Sequence, residues 1–372
     1  MLQCIFTHHQ VTPFYLDFIS VFGSQLLQRD LRFSGFREQI ILSPAHSGSP
    51  AIPSLGRSGR LYQLCYNLKM VAVIKPDGQN PMPSRWPIRQ AAFHHQFDVE
   101  TGRSLWICTK GRLDDLRDRT KQLTGRSGRP EDHDYTSVVS SFKATLPVHL
   151  MYCHWAVEGW RWYIRHLEEL VERKVLLIPR LRSIVITIQF SELTEHKTSN
   201  IVDIPRHEAN MLKGRYNSDD LRKVQAYEDD ISEAIMVMRS NVSVMALLQS
   251  FYEKILRHRD WPDELKQNGQ EAVLELSSQL DDIKHELNSS IERADLLIQF
   301  MAGRKNLVNR ALPHAFTSTD HFPDPTRYSN PSNRNHGEYD SAVPERIFDG
   351  KNCLPRDILL SPCNFCFGEL LF

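Results

Sequence analysis

The chain has 372 residues, 41% of them apolar, enough for one large or two ordinary domains with a real core. Lys plus Arg and Asp plus Glu both number 45, so the formal charge is zero and no global pull toward nucleic acid or anionic lipid is implied. The cysteines number seven and are scattered, which argues against a disulfide-dense secreted scaffold and for a reducing compartment.

Residues 1–60 read as an N-terminal arm and loop. Phe6, Phe14, Tyr15, Phe18 and Phe22 suit a helix or a packed arm, and Pro44, Gly48, Pro50, Pro53, Gly56 and Gly59 punctuate the loop that follows. Residues 61–177 form the expected α/β core. Leu61 to Ile74 alternates as one or two strands and ends at the turn Lys75-Pro76-Asp77-Gly78. Two half-buried strands, Trp86–Phe97 and Arg103–Lys110, are expected to make a hairpin in which Gly102 supplies the special backbone angle. Gly111 to Leu123 reads as a short charged helix, and 125–130 as a loop. From Tyr135 to Leu177 the period turns helical, with Trp155, Trp162, Tyr163, Leu167 and Leu170 on one stripe. Residues 178–214 are an irregular connector in which Ser183–Phe190 suits a strand.

Residues 215–312 carry the cleanest signal, two long amphipathic helices broken at Asp260-Trp261-Pro262. Ile231, Ile235, Met238, Val242, Met245, Leu248, Tyr252 and Ile255 recur at steps of four and three. Leu276, Leu280, Ile283, Leu287, Ala294, Leu297 and Met301 do the same, with Ser290 in the intervening slot. That spacing is the seam of a coiled coil or of a helix hairpin burying it internally, and the hairpin is the favoured form. After Pro313 the Pro-, Asn- and Ser-rich residues 313–372 have no period and read as a disordered tail. No stretch of about 20 consecutive apolar residues occurs, so no membrane-spanning helix is expected. The fold class is therefore α/β or α+β: a mixed sheet flanked by helices, then a long two-helix stalk and the tail.

Candidate sites are few. Adjacent His94 and His95 on a strand point to opposite faces, so they do not converge on one metal, and one of them is expected to be exposed. Cys363 and Cys366 have CxxC spacing but no second ligand pair. Arg57-Ser58-Gly59-Arg60 and Gly125-Arg126-Ser127-Gly128-Arg129 match no phosphate-loop pattern and read as solvated loops. Acidic groups lie at Asp229, Asp230 and Glu233 and at Asp281, Asp282 and Glu286, in which Asp229/Glu233 and Asp282/Glu286 each share a helix face at i,i+4 spacing. Such pairs suit weak binding of a hydrated Mg²⁺, against a solvated surface balanced by Lys223, Lys254 and Lys284. No Ser/His/Asp or Cys/His arrangement marks a catalytic centre, and the chain is not expected to be an enzyme.

The strings Arg57-Ser58-Gly59-Arg60-Leu61-Tyr62-Gln63-Leu64-Cys65-Tyr66-Asn67-Leu68, Trp86-Pro87-Ile88-Arg89-Gln90 and His94-His95-Gln96-Phe97-Asp98 resemble the soluble N-terminal part of fungal CorA-like transporter-domain proteins. Gly102-Arg103-Ser104-Leu105-Trp106-Ile107, Trp160-Arg161-Trp162-Tyr163-Ile164, Gln225-Ala226-Tyr227-Glu228-Asp229 and Ala302-Gly303-Arg304-Lys305-Asn306-Leu307 extend the resemblance over about residues 30–310. It implies a cytoplasmic α/β domain joined by long helices to a pentameric membrane pore for divalent cations, chiefly Mg²⁺. It also implies a Gly-Met-Asn signature at the pore mouth, and that tripeptide is absent from this sequence.

On this basis the chain is expected to be the cytoplasmic, regulatory part of a CorA-like Mg²⁺ transporter, unable to transport alone. Asp229, Asp230 and Glu233 are its candidate Mg²⁺ ligands. A homo-oligomer through the stalk and full-length membrane-bound relatives are its expected partners. The alternative is a stand-alone helical scaffold without metal dependence. The helical arm is read as a connector that reaches toward lipid; that connector view fails if the arm is folded across the sheet inside one core.

Overall fold

The computed structural model describes residues 2–22, 32–43, 51–73, 86–110, 114–125, 134–176, 218–311 and 365–371. Helices α1 (Leu2–His9) and α2 (Tyr15–Ile19) precede strand β1 (Phe36–Ile41). Strands β2 (Leu61–Val71), β3 (Ile88–Asp98) and β4 (Ser104–Lys110) follow, then helices α3 (Asp114–Thr124), α4 (Val138–Val157) and α5 (Trp160–Leu176). The long helices are α6 (Ser218–Leu256) and α7 (Asp263–Ala311), and the last element is strand β5 (Phe365–Leu371).

The sheet runs in chain order, β1-β2-β3-β4-β5, antiparallel throughout except that β5 lies parallel to β4, so it is mixed as expected. The expected disordered tail falls mostly outside the described residues, but Phe365–Leu371 is a strand instead, in unbroken register from Ser104↔Phe365 to Lys110↔Leu371. The expected strand over Ser183–Phe190 lies outside the described residues.

The β3–β4 hairpin forms where the turn chemistry placed it. Gly102 has φ +71, and a Cβ there would come within 3.1 Å of the Val138 backbone. Asp98 organises the turn: its Oδ1 accepts from the Glu100 and Thr101 amides at 3.1 and 2.9 Å. The strands are not half-buried, however. Every described residue of β2 and β4 is buried, because both faces of the sheet are covered. Sheets covered on both sides lose polar/apolar alternation, and β2 accordingly reads Leu-Tyr-Gln-Leu-Cys-Tyr-Asn-Leu-Lys.

On one face lie α1 and α2, whose Tyr15 and Phe18 pack with Cys65, Ala92, Leu105 and Ile107. On the other lie α4 and α6, and α7 packs along α6, α4 and α5. A single apolar cluster runs from Tyr62, Tyr66, Phe93 and Trp106 of the sheet through Tyr152 and Trp155 of α4 to Tyr252 of α6 and Leu280 of α7. Helices α4 and α5 are separated at Glu158–Gly159. Gly159 has φ +86, and a Cβ on it would meet the Val71 carbonyl oxygen at 2.1 Å, so a strand end fills the break. The break turns the expected aromatic stripe: Trp155 and Tyr163 are buried, but Trp162 is 57% exposed.

The expected helix pair is present, with its break at Trp261-Pro262, and its predicted seam is buried save for half-buried Val242. It is not a free-standing stalk. Helix α6 carries a second buried stripe, Ala234, Val237, Asn241, Val244 and Phe251, which widens its inward face beyond a coiled-coil seam. Phe251 packs on Phe36 and Tyr62, and Trp261 packs on Tyr62 and Phe142. Asn241 closes a gap in the sheet. Strand β1 pairs with β2 only as far as Tyr66, so beyond it the backbone of Lys69 is open on that side. The Asn241 amide accepts from Lys69 N at 3.1 Å and donates to Lys69 O at 2.6 Å. The arm is thus folded across the sheet within one core, which overturns the expectation of a connector standing clear of the domain.

Only part of the pair escapes the sheet. From Asn241 opposite Lys69, α6 runs back toward its N-terminus past the end of β2 at Val71. The 19 residues from Arg222 to Ser240 rise about 28 Å at 1.5 Å each. This half is held laterally by α5 and the C-terminal half of α7, through Glu228 to Lys305 at 2.9 Å and Arg239 to Asp295 at 2.6 Å.

By length and composition Arg222–Leu256 would suffice to cross a membrane, with a window of mean hydropathy 1.4 that is 50% buried. The expectation of no such helix is corrected, because interspersed polar residues hide this window from a search for consecutive apolar ones. The buried side chains on this helix are accounted for by the sheet and neighbouring helices.

Candidate functional site

The three carboxylates proposed from sequence sit on the projecting half of α6, and the fold treats them unequally. Asp229 is exposed and accepts from Gln225 Nε2 at 3.1 Å, so it turns along its own helix. Asp230 and Glu233, at i,i+3, come together on the side toward Tyr163 of α5. Partial burial raises the Asp230 carboxyl above the usual carboxylate range, with Glu233 and then Asp229 adding like charge. The Tyr163 phenol is pushed up by burial first and by the same two acids second. Glu233 Oε1 is buried without a hydrogen-bond partner. Nearby Glu228 is already paired with Lys305.

Among the described residues no group of three or more His, Cys, Asp or Glu side chains converges as a metal cage. Two carboxylates with one orphaned oxygen do suit Mg²⁺, which keeps most of its waters and needs only one or two protein oxygens. The second acidic group differs: Asp281 is held below the usual range by its hydrogen bond to Lys284, 2.8 Å away, so a cation already serves it. Lys254, proposed as another balancing charge, reaches across to Glu38 of β1 instead.

The basic loop at 57–60 is a structural clamp rather than a solvated turn. Ser58 gives its amide to Asp98 Oδ2 at 2.8 Å and its hydroxyl to Oδ1 at 2.9 Å. Arg60 donates to the carbonyls of Leu42 and Asp260 at 2.8 and 3.1 Å and to Glu100 at 2.9 Å, tying β1, the hairpin and the α6–α7 turn together. Apart from Gly125, the second basic loop lies outside the described residues, as does Cys363; Cys366 falls in β5.

His94 and His95 do point to opposite faces, but neither is exposed: both are fully buried. His94 Nε2 meets Gln63 Oε1 at 3.0 Å beneath α1 and α2, with its Nδ1 unpartnered. On the opposite face His95 meets a residue that sequence reasoning missed, His149 of α4. Tyr66 Oη lies 2.8 Å from His149 Nδ1, His149 Nε2 3.0 Å from His95 Nδ1, and His95 Nε2 3.1 Å from Ser104 Oγ. Trp106 stacks on His95 at 4.0 Å with ring planes 10° apart. Burial holds the His149 imidazole down to about 3, and burial, then His149 and His94, hold His95 well below its ordinary value. Nothing in the sequence links positions 54 apart, apart from the helical period that makes His149 an inward position.

Taken together, these features define a layered α+β domain with a helical projection that presents carboxylates. Residues 1–176 match the family model described as CorA-like transporters, which supports a CorA-like, transporter-related domain over that stretch. The match takes in α1 and α2, ahead of where the resemblance began, and stops at the end of α5, leaving α6 and α7 outside it. No curated protein matches the chain.

Proposed function

We propose that this chain is a regulatory, membrane-external portion of a CorA-like Mg²⁺ transport system, and that Asp230 and Glu233, with Asp229 beside them, bind a hydrated Mg²⁺ weakly. The reading involves no covalent chemistry. It places the domain on the cytoplasmic side, working with a second copy of itself or with membrane-bound relatives, and has it transport nothing alone. The observation that carries it is the uncompensated carboxylate pair on the projecting half of α6, in a chain whose first 176 residues are CorA-like. A divalent ion between like charges removes their repulsion and supplies the missing partner of Glu233 Oε1.

The test is a Mg²⁺ titration of the full chain followed by thermal unfolding at constant ionic strength. A ligand that binds only the folded state stabilises it by RT ln(1 + [L]/Kd), so Tm should rise and saturate around the millimolar range. Asp230→Asn with Glu233→Gln should abolish the rise. An equal response in the double variant, or none in the wild type, rejects the reading.

A metal-independent helical scaffold is favoured by one observation, the exposure of Trp162, Leu274, Leu296 and Phe300 on α5 and α7 at 57, 62, 65 and 41%. Its signature is indifference to Mg²⁺ in the same titration.

A further inference from the structure

The linked imidazoles of His95 and His149 join two layers of the molecule. His95 belongs to β3 at the centre of the sheet, and His149 to α4, which packs on β2 and along much of α7. A neutral imidazole has one donor and one acceptor. With Tyr66 donating to His149 Nδ1, the His149 Nε2–H donates to His95 Nδ1, and the His95 Nε2–H donates to Ser104 Oγ. Every ring nitrogen is then used once. One extra proton can be housed only by reversing the Tyr66 and His149 roles and burying a positive charge. A second puts N–H against N–H across 3.0 Å, an arrangement no tautomer relieves.

We propose that the His95–His149 pair is an acid-sensitive latch: neutral, it fastens α4 to the sheet, and protonated, it releases α4 and the helices packed on it. Titratable neighbours offer no compensation. Tyr62 and Tyr66 face the pair from β2, Trp106 from β4 and Tyr252 from α6; Cys108 of β4 and Tyr152 and Cys153 of α4 lie about Tyr66, and His94 lies behind on the other face of β3. No carboxylate contributes to the setting of either ring. The helix is also built to yield at this place. Pro147 lies inside α4, two residues before His149, and cannot donate to the carbonyl four residues back.

The sign follows from linkage. Both rings are neutral in the closed form and recover a value near 6.5 once exposed. The fastening is complete above about pH 6.5 and is lost as pH falls toward about 3, where His149 titrates in the folded protein. Each ring raises the opening equilibrium about tenfold per pH unit in that window, so the pair gives about a hundredfold.

Amide hydrogen exchange of the full chain between pH 7 and 4.5, corrected for intrinsic exchange, reads this directly. Peptides from α4 should gain about 10³–10⁴ in opening over that range, with strand peptides of β2 and β3 lagging behind. His149→Gln should cut the α4 dependence to about tenfold per unit, and His94→Gln, on the opposite face, should leave it unchanged. An α4 opening that changes less than tenfold in the wild type overturns the latch. So does one that tracks β2 and β3 equally, or one that His94→Gln flattens as much as His149→Gln, since each of these means global acid unfolding. The first two readings need only the wild type, so they stand if a variant fails to fold.

Discussion

The two halves of α6 obey the same period and do different work. From Asn241 to Leu256 the helix is a wedge in the core, with Met245, Leu248, Phe251, Tyr252 and Ile255 each at most 1% exposed. From Arg222 to Ser240 it runs past the sheet, keeps its apolar stripe against α5 and α7, and offers carboxylates on the remaining surface. A heptad-like pattern therefore reports that a stripe is buried; it does not report what buries it. Substitutions in the two halves should separate them by size and finally by sign.

The largest effect belongs to Tyr252, which touches Tyr62, Phe142, His149 and Phe251. Tyr252→Ala should cost about 3–5 kcal/mol, the range for large aromatic truncations in a close-packed core. Urea unfolding of the variant should show a lower midpoint with little change in slope. A loss under about 1 kcal/mol would mean that the sheet and helix layers are less firmly joined than described.

Asn241→Ala comes next. It strips a backbone N–H and C=O of Lys69 of their partners at a place where water does not reach, at about 1–3 kcal/mol. Asn241→Leu should be no better, because the open β2 edge needs polar atoms and not volume. Gly159→Ala is expected in the same range: the backbone has φ +86, and its new methyl would strike the Val71 carbonyl.

How much of this was legible in the sequence depended on whether a signal was local. The hairpin at Gly102, the break at Trp261-Pro262 and the helical seam were readable because turn chemistry and a period lie within a few residues of each other. Strand β1 escaped notice because Phe-Arg-Glu-Gln-Ile-Ile is six residues of mixed polarity against a long partner, and β5 because it lies in a tail whose composition argues for disorder. The docking of the arm was not legible, since Asn241 and Lys69 are 172 positions apart and neither is unusual by itself. The same holds for the metal candidates. Spacing put Asp229 with Glu233 on one face, and the fold instead set Asp230 beside Glu233 against Tyr163, because that side of α6 faces α5.

In the projecting half the effects should shrink. Arg239 and Asp295 are 59 and 37% exposed, and such a pair contributes about 0.2–1 kcal/mol, less as salt rises. Arg239→Ala should therefore lie within about 1 kcal/mol of wild type and converge on it in high salt, in contrast to Tyr252→Ala, whose loss salt should not rescue.

The smallest expected effect reverses sign. The Asp230 carboxyl is raised in the folded protein by partial burial and by the charges of Glu233 and Asp229, so its ionised form is less welcome folded than unfolded. Such a group weakens the fold once ionised, and stability returns as pH falls through its raised folded value. Because Asp230 is about half exposed, solvent screens most of this, and Asp230→Asn should stabilise the metal-free protein by only about a few tenths of a kcal/mol at neutral pH. The same substitution should blunt the Mg²⁺ response. A pair of denaturation curves with and without Mg²⁺ therefore yields two opposed shifts from one residue: more stable without the ion, less stabilised with it. A plain solvated carboxylate gives neither, and a residue needed for packing gives a loss in both.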